Sequence, residues 1–214
     1  MKAIKDARLT TLLSMMGEGV ALADVGTDHG KLPVAALLSG KASRAVAIDI
    51  SPQSLNKAKL LAQEEGVPLR ALVGDGLTPL KEGDADLVVI AGMGASEIVK
   101  ILQEAPCRFQ RYLFVPHKNA PLLRGYLKEK NARIVRDVAV KEGKHFYFVI
   151  EADLFSPWEE HSLWLGNEGD ALQEYVAFRL KKVEELLALS KDPMLIEEKE
   201  ELIHAKTQRD RCGA

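Results

Sequence analysis

Carboxylates recur at one kind of place along this chain, at or just after the end of a short apolar run. Asp24 lies near the end of VALADV, and Asp28 follows in the loop Gly26-Thr27-Asp28-His29-Gly30. Asp49 ends RAVAID, and Asp75 sits between Gly74 and Gly76 after LRALVG. A fourth run, ADLVVIAG, leads instead into Gly92-Met93-Gly94. Each acid alone would serve as a turn or helix cap. Together they describe a site. A carboxylate at the end of a second strand can accept both hydroxyls of a ribose. One at the end of a third can meet the exocyclic amine of an adenine, with Ile50 or Leu77 packed on the ring. The first loop lacks the GxGxxG spacing that seats a pyrophosphate on a helix N-terminus. Asp24 and Asp28 would repel a pyrophosphate. They suit a ligand with an ammonium and a sulfonium, and S-adenosylmethionine has both. The expected binding set is Asp24, Gly26, Asp28 and Gly30, then Asp49 and Ile50, then Asp75, Gly76 and Leu77, then Gly92, Met93 and Gly94. Asp28 and His29 are the ionisable side chains of the first loop and the candidates for chemistry. For His29, a role in shaping the loop is the alternative.

These residues need a scaffold that brings strand ends together. The sequence predicts helix over 3–16, strand over 20–25, helix over 32–40 and strand over 44–49. A well-capped helix follows over 51–66, with Ser51 as N-cap, Pro52 at N1 and Gly66 at the stop. Strands over 69–74 and 85–92, a helix over 95–105, a strand over 111–116 and a helix over 120–131 come next. A hairpin over 132–152 turns at Glu142-Gly143-Lys144. Repeated βα units imply a parallel sheet covered by helices, with ligands at the C-terminal strand ends. Beyond it, Leu172, Val176, Leu180, Val183 and Leu187 form a helical seam. After the break at 190–193, where Asp192 is a plausible N-cap, a second helix shows Leu195, Ile196, Leu202 and Ile203. The expected domains are residues 1–155, α/β, and residues 156–214, a helical hairpin.

The 214 residues are 47% apolar, enough for a sizeable core. No run approaches the ~20 apolar residues of a membrane span, and the first residues lack a signal-peptide core. Two distant cysteines, Cys107 and Cys212, argue against zinc and against a disulfide framework. A cytoplasmic protein with no metal is expected. The net charge of −2 is segregated: residues 108–144 hold 10 Lys/Arg and 3 Asp/Glu, a net of +7. Such a block is either solvated surface or a patch for a polyanion. As a patch, it makes Arg124, Lys128 and Arg133 candidate RNA contacts.

The stretches DVGTDHGKLP, AIDISPQSLNKAK, VGDGL and DLVVIAGMGASEIVKIL resemble successive motifs of the bacterial tRNA (adenine-22)-N1-methyltransferases, the TrmK family. The likeness extends through RLTTLL, LLRGYL and VKEGKHFYFVIEADL and covers about residues 4–155. It implies a class I methyltransferase Rossmann-like sheet with an appended C-terminal helical coiled coil, S-adenosyl-L-methionine as cofactor, tRNA as partner and adenine N1 as target. Three positions depart from the family pattern. Ala95 replaces the last glycine of Gly-Met-Gly-Gly, Val115-Pro116-His117 replaces Gln-Pro-Asn, and Lys31 stands where an aromatic is common. Lys31, Val115 and His117 are expected near the base pocket. A small-molecule methyltransferase, which would not require the basic block, and a cofactor-binding module that uses its helical hairpin to hold a protein partner are the competing readings.

Overall fold

Seven strands form one sheet in the computed structural model, which describes residues 6–212. In chain order the elements are α1 (Ala7–Met15), β1 (Val20–Val25), α2 (Lys31–Leu38), β2 (Ala42–Asp49), α3 (Pro52–Glu64), β3 (Leu69–Val73), β4 (Leu87–Met93), α4 (Ala95–Gln103), β5 (Arg111–Pro116), α5 (Ala120–Glu129), β6 (Arg133–Glu142), β7 (His145–Asp153), α6 (Leu172–Leu187) and α7 (Pro193–Cys212). The sheet order is β3-β2-β1-β4-β5-β7-β6. The first five strands in that order pair in parallel, and β7 runs antiparallel to both β5 and β6. Every element expected from the sequence is present. Ile4, placed on the first helix from its spacing, lies outside the described residues.

Alternation along the central strands supplies both faces of the core, because successive side chains of a strand point to opposite sides. In β4, Val88 and Ile90 pack with Ile98 of α4 and Leu123 and Leu127 of α5. Leu87 and Val89 pack on the other face with Leu12 and Met15 of α1 and Leu32 and Ala36 of α2. The chain leaves β3 at one edge and re-enters at β4 on the far side of β1. That reversal is the topological switch point, where a crevice opens beyond the strand ends.

The C-terminal segment is tied to the β6 edge before its helices begin. Backbone N–H groups of Asn167 and Glu168 donate to the Asp137 carbonyl, at 3.0 and 3.1 Å, and Ala139 N–H donates to the Glu168 carbonyl at 2.8 Å. Tyr175 of α6 packs edge-on against Phe148, centroids 4.9 Å apart. The predicted seam is real: Val176 and Val183 are buried, with Leu172, Leu180 and Leu187 partly so, against Leu202 of α7. Asp192 caps α7, its carboxylate accepting from Met194 N–H at 2.9 Å. Ile196 and Ile203, placed on the same apolar face from sequence, are exposed instead. The inner face of α7 runs through Leu195, Leu202 and Ala205, with Glu198 paired to Arg179 at 2.5 Å. Trp164 joins this small core and Trp158 packs on the main one, so neither indole is a free stacking platform.

Candidate functional site

A cavity of about 580 Å³ opens at the switch point, within the 300–1,000 Å³ usual for small-ligand sites. The C-terminal ends of β1, β2, β3, β4 and β5 all contribute to it. Of the expected set, Asp24, Gly26, Asp28, Asp49, Ile50, Asp75, Gly76, Gly92 and Met93 line it. So do Lys31, Val115 and His117, the three departures expected near the base.

Local chemistry explains the placement. Gly26 adopts φ 74°, and a Cβ there would sit 2.2 Å from the Met93 methyl. Only glycine lets the first loop turn that close to β4. Asp49 has one carboxylate oxygen already engaged, accepting Ser51 N–H at 2.7 Å as the chain enters α3. Its other oxygen remains for a ligand. Ile50 beside it is 71% exposed, an unusual state for a large apolar side chain next to an apolar cavity. Asp75 is exposed on the cavity wall and, among the described residues, its carboxylate has no protein partner. None of Asp24, Asp28, Asp49 and Asp75 is paired with a lysine or arginine among the described residues.

Asp24 differs from the others in being buried, at 5% exposure. Desolvation, reinforced by the nearby Asp49 charge, pushes its pKa up to about 6. The Thr27 hydroxyl acts the other way and favours the charged form, yet makes no hydrogen bond of ordinary geometry. A buried carboxylate with so little protein compensation is suited to a cationic ligand.

Four residues of the expected set do not line the cavity. Gly30, at φ 70°, is the N-cap of α2, and a Cβ there would lie 2.6 Å from that of Ala58; its role is to let α2 approach α3. Leu77 is 1% exposed and belongs to the core, so its side chain does not pack on a bound ring. Gly94 is the N-cap of α4. His29 turns toward α3, its Nε2 2.9 Å from Lys57 Nζ and 3.4 Å from the Asp28 carboxylate. Asp28 is 77% exposed at the side chain and faces the cavity without its neighbour.

Helix α1 is the wall that sequence reasoning missed. Asp6, Arg8, Leu9 and Leu12 line the cavity. Arg8 is fixed there by Glu142 of β6 at 2.5 Å and lies over the Tyr147 ring of β7 at 4.6 Å. The signals in the sequence were the charged pair Asp6 and Arg8 at the start of the helix and the stretch RLTTLL within it.

The basic block is largely consumed inside the protein. Arg124 is fully buried and bidentate to Asp137, at 2.7 and 3.1 Å, so it cannot meet an RNA phosphate. It also donates to the Leu163 carbonyl at 3.1 Å and lies over Phe148 at 4.4 Å, while His161 meets Asp137 at 3.0 Å. Arg111 pairs with Glu151 at 2.6 Å, Arg133 with Glu159 at 3.1 Å, Arg136 with Glu168 at 3.0 Å, and Lys141 with Glu174. Lys128 and Arg133 lie toward the opposite edge of the sheet. Lys128 is in the last turn of α5, which runs back from the cavity, and Arg133 opens β6 next to β7 Asp153, which also pairs with Arg111 at the start of β5. The length of β5, ~20 Å at 3.3 Å per residue, separates that edge from the cavity.

An open, doubly covered and mostly parallel sheet with an acid-lined crevice at its switch point defines a Rossmann-like α/β ligand-binding protein. A methyltransferase-domain family model matches residues 5–150, and the chain belongs to that family. It is 32% identical over 151 residues to the tRNA (adenine(22)-N(1))-methyltransferase of Bacillus subtilis, a match covering 68% of this chain and 63% of that protein. The chain therefore spans less than two thirds of that relative's length. The fold matches M. capricolum TrmK in complex with S-adenosyl-homocysteine, at TM-score 0.78 and 21% identity over 95% of this chain and 96% of that one. It also matches a putative tRNA (m1A22) methyltransferase of Streptococcus pneumoniae in complex with S-adenosyl-L-methionine, at TM-score 0.80 and 22% identity over 92% and 97%. The resemblance and the fold class read from the sequence are borne out. Among the described residues no helix is long and apolar enough to cross a membrane.

Proposed function

We propose that this chain is an S-adenosylmethionine-dependent tRNA methyltransferase acting on N1 of adenine, at position 22 by likeness to the Bacillus subtilis relative. The observation that carries the cofactor reading is the set of four carboxylates lining one cavity, none of them ion-paired with a lysine or arginine among the described residues. The free oxygen of Asp49 takes the ribose hydroxyls and Asp75 the exocyclic amine of the adenine, with Ile50 against the ring. Asp24 and Asp28 face the cationic end, and the N-terminus of α2 with Lys31 suits the amino-acid carboxylate. The bound cofactor supplies an electrophilic methyl group. Gly92 brings backbone, rather than bulk, to the place where a base must approach.

Adenine N1 has its own lone pair, so no base is required before attack. The protein's tasks are to hold the base in line and to stabilise positive charge as it develops. Asp28, exposed on the wall, does the second; His29 acts on the loop through Lys57. The RNA approaches the strand-end edge of the sheet. There Lys31, Lys118 and Lys144 are exposed and, among the described residues, unpaired with any acid. The α/β part over residues 1–155 holds the cofactor, and the 156–214 hairpin adds a second surface. Such an enzyme works in the cytoplasm.

The test is methyl transfer from labelled S-adenosylmethionine to unmodified tRNA, with nucleoside analysis. Formation of 1-methyladenosine supports the reading. Cofactor binding with no methylation of any tRNA would overturn it in favour of a small-molecule substrate.

A further inference from the structure

His117 follows β5, and its backbone N–H donates to the Met93 carbonyl at 2.8 Å, so the residue sits where the ends of β4 and β5 meet. It lines the cavity. Its Nε2 lies 3.3 Å from Nη1 of Arg8. A guanidinium only donates hydrogen bonds and stays charged in proteins. The contact is therefore attractive only if Nε2 carries a lone pair, which places the single ring proton on Nδ1. Arg8 cannot withdraw freely. Glu142 holds it at 2.5 Å and the Tyr147 ring lies beneath it. Tyr147 also flanks the imidazole, centroids 5.8 Å apart. Among the described residues, Nδ1 of His117 has no protein partner.

We propose that His117, held as the Nδ1–H tautomer by Arg8, donates a hydrogen bond to the target base and orients it for attack. This rests on the proposed adenine N1 reading. The chemistry narrows the acceptor. A donor on N1 would occupy the lone pair that must attack, so the bond goes to N3 or N7 and leaves N1 free. Protonation of Nε2 would set an N–H against the Arg8 guanidinium and unseat the ring. The groups facing His117 are Arg8 from α1, with Asp6 3.5 Å from Arg8, Glu142 from β6, Tyr147 and beyond it His145 from β7, and Lys118 next in the chain. Partial desolvation, then the Arg8 charge, lower the imidazole pKa below its usual 6.5 and keep the donor form dominant at neutral pH.

The experiment is single-turnover methylation of an unmodified tRNA at saturating cofactor, from pH 5.5 to 8, with wild type, His117→Ala and His117→Asn. Asparagine keeps an amide donor near the Nδ1 position but does not titrate. Wild type should show an acid limb. His117→Ala should lose about tenfold in rate at pH 8, the effect of one neutral hydrogen bond, with little change in cofactor affinity. His117→Asn should recover most of that loss and have a flatter acid limb. Asp24 also titrates near pH 6, but its effect is read separately from the pH dependence of cofactor affinity and persists in both variants. An inactive wild type would sink the tRNA reading itself. An active wild type with His117→Ala equal to it in rate and pH profile would overturn this inference alone. So would a His117→Asn rate no better than that of alanine.

Discussion

The strand-end edge and the lateral β6 edge of the sheet are both rich in charge, and they treat it in opposite ways. At the strand ends, Asp24, Asp49 and Asp75 have no ion-pair partner among the described residues, and Asp24 is buried as well. At the β6 edge, Arg124, Arg136 and Lys141 each have an acid assigned to them, and the deepest pair is completely buried. Charge left unsatisfied in a cavity points to a ligand of the opposite sign. Charge satisfied internally holds the C-terminal segment to the sheet. A net count over a stretch of sequence cannot separate the two uses.

Breaking the buried pair gives the largest effect. Arg124→Ala leaves the Asp137 carboxylate buried with His161 as its one remaining side-chain partner among the described residues. It should cost about 3–5 kcal/mol of stability, the usual cost of orphaning one partner of a buried pair. Denaturant unfolding measures it. A loss below about 1 kcal/mol would show that the edge charges are as dispensable as surface ones.

Asp24→Asn sharpens the comparison from the other side. A native pKa of about 6 against an unfolded value of 3.8 means that the native state holds the proton more tightly. Stability contributed by the neutral form is present below pH 4 and is lost as pH rises through about 6. Removing the charge should therefore stabilise the unliganded protein at pH 7.5, by up to about 3 kcal/mol at 1.36 kcal/mol per pH unit. It should also weaken cofactor binding, and abolish the decline in affinity expected of wild type as pH falls below 6. Thermal melts and calorimetry across pH 5–8 read both. An asparagine variant that is less stable and binds equally well would mean that Asp24 is structural.

Asp49→Ala should lose about 1.5–3 kcal/mol of cofactor affinity, the range for a hydrogen bond to a charged group, with native circular dichroism. Unchanged affinity by calorimetry would remove Asp49 from the site.

The smallest effects separate the two sets of lysines and arginines. Reversal of Lys118 and Lys144 to glutamate should weaken tRNA binding and flatten its salt dependence, by about 0.9 in slope for each phosphate no longer neutralised. The Lys128 and Arg133 double reversal, at the far edge, should do neither. Filter binding from 50 to 200 mM salt tests it. The opposite ranking would restore the basic block as the RNA surface.

Short-range patterns were enough for most of the scaffold and half of the site. Ser51 and Pro52 start α3 from the sequence alone, and the acids after β1, β2 and β3 converge because βα repeats leave every strand's C-terminal end at one edge. That logic holds for any residue placed just beyond a parallel strand, whatever lies elsewhere in the chain. It fails where a side chain's partner is distant. Arg8 reaches His117 across 109 positions and Arg111 reaches Glu151 across 40, so no window of sequence contains both members. Leu77 and Ile50 were equal candidates for the ring. Burial decided between them, because Leu77 lies in the core while Ile50 is exposed on the cavity. The sequence determined which charges exist and at which strand ends they fall. The tertiary structure alone decided which of them a neighbour neutralises, because desolvation and pairing depend on three-dimensional distance and not on position along the chain.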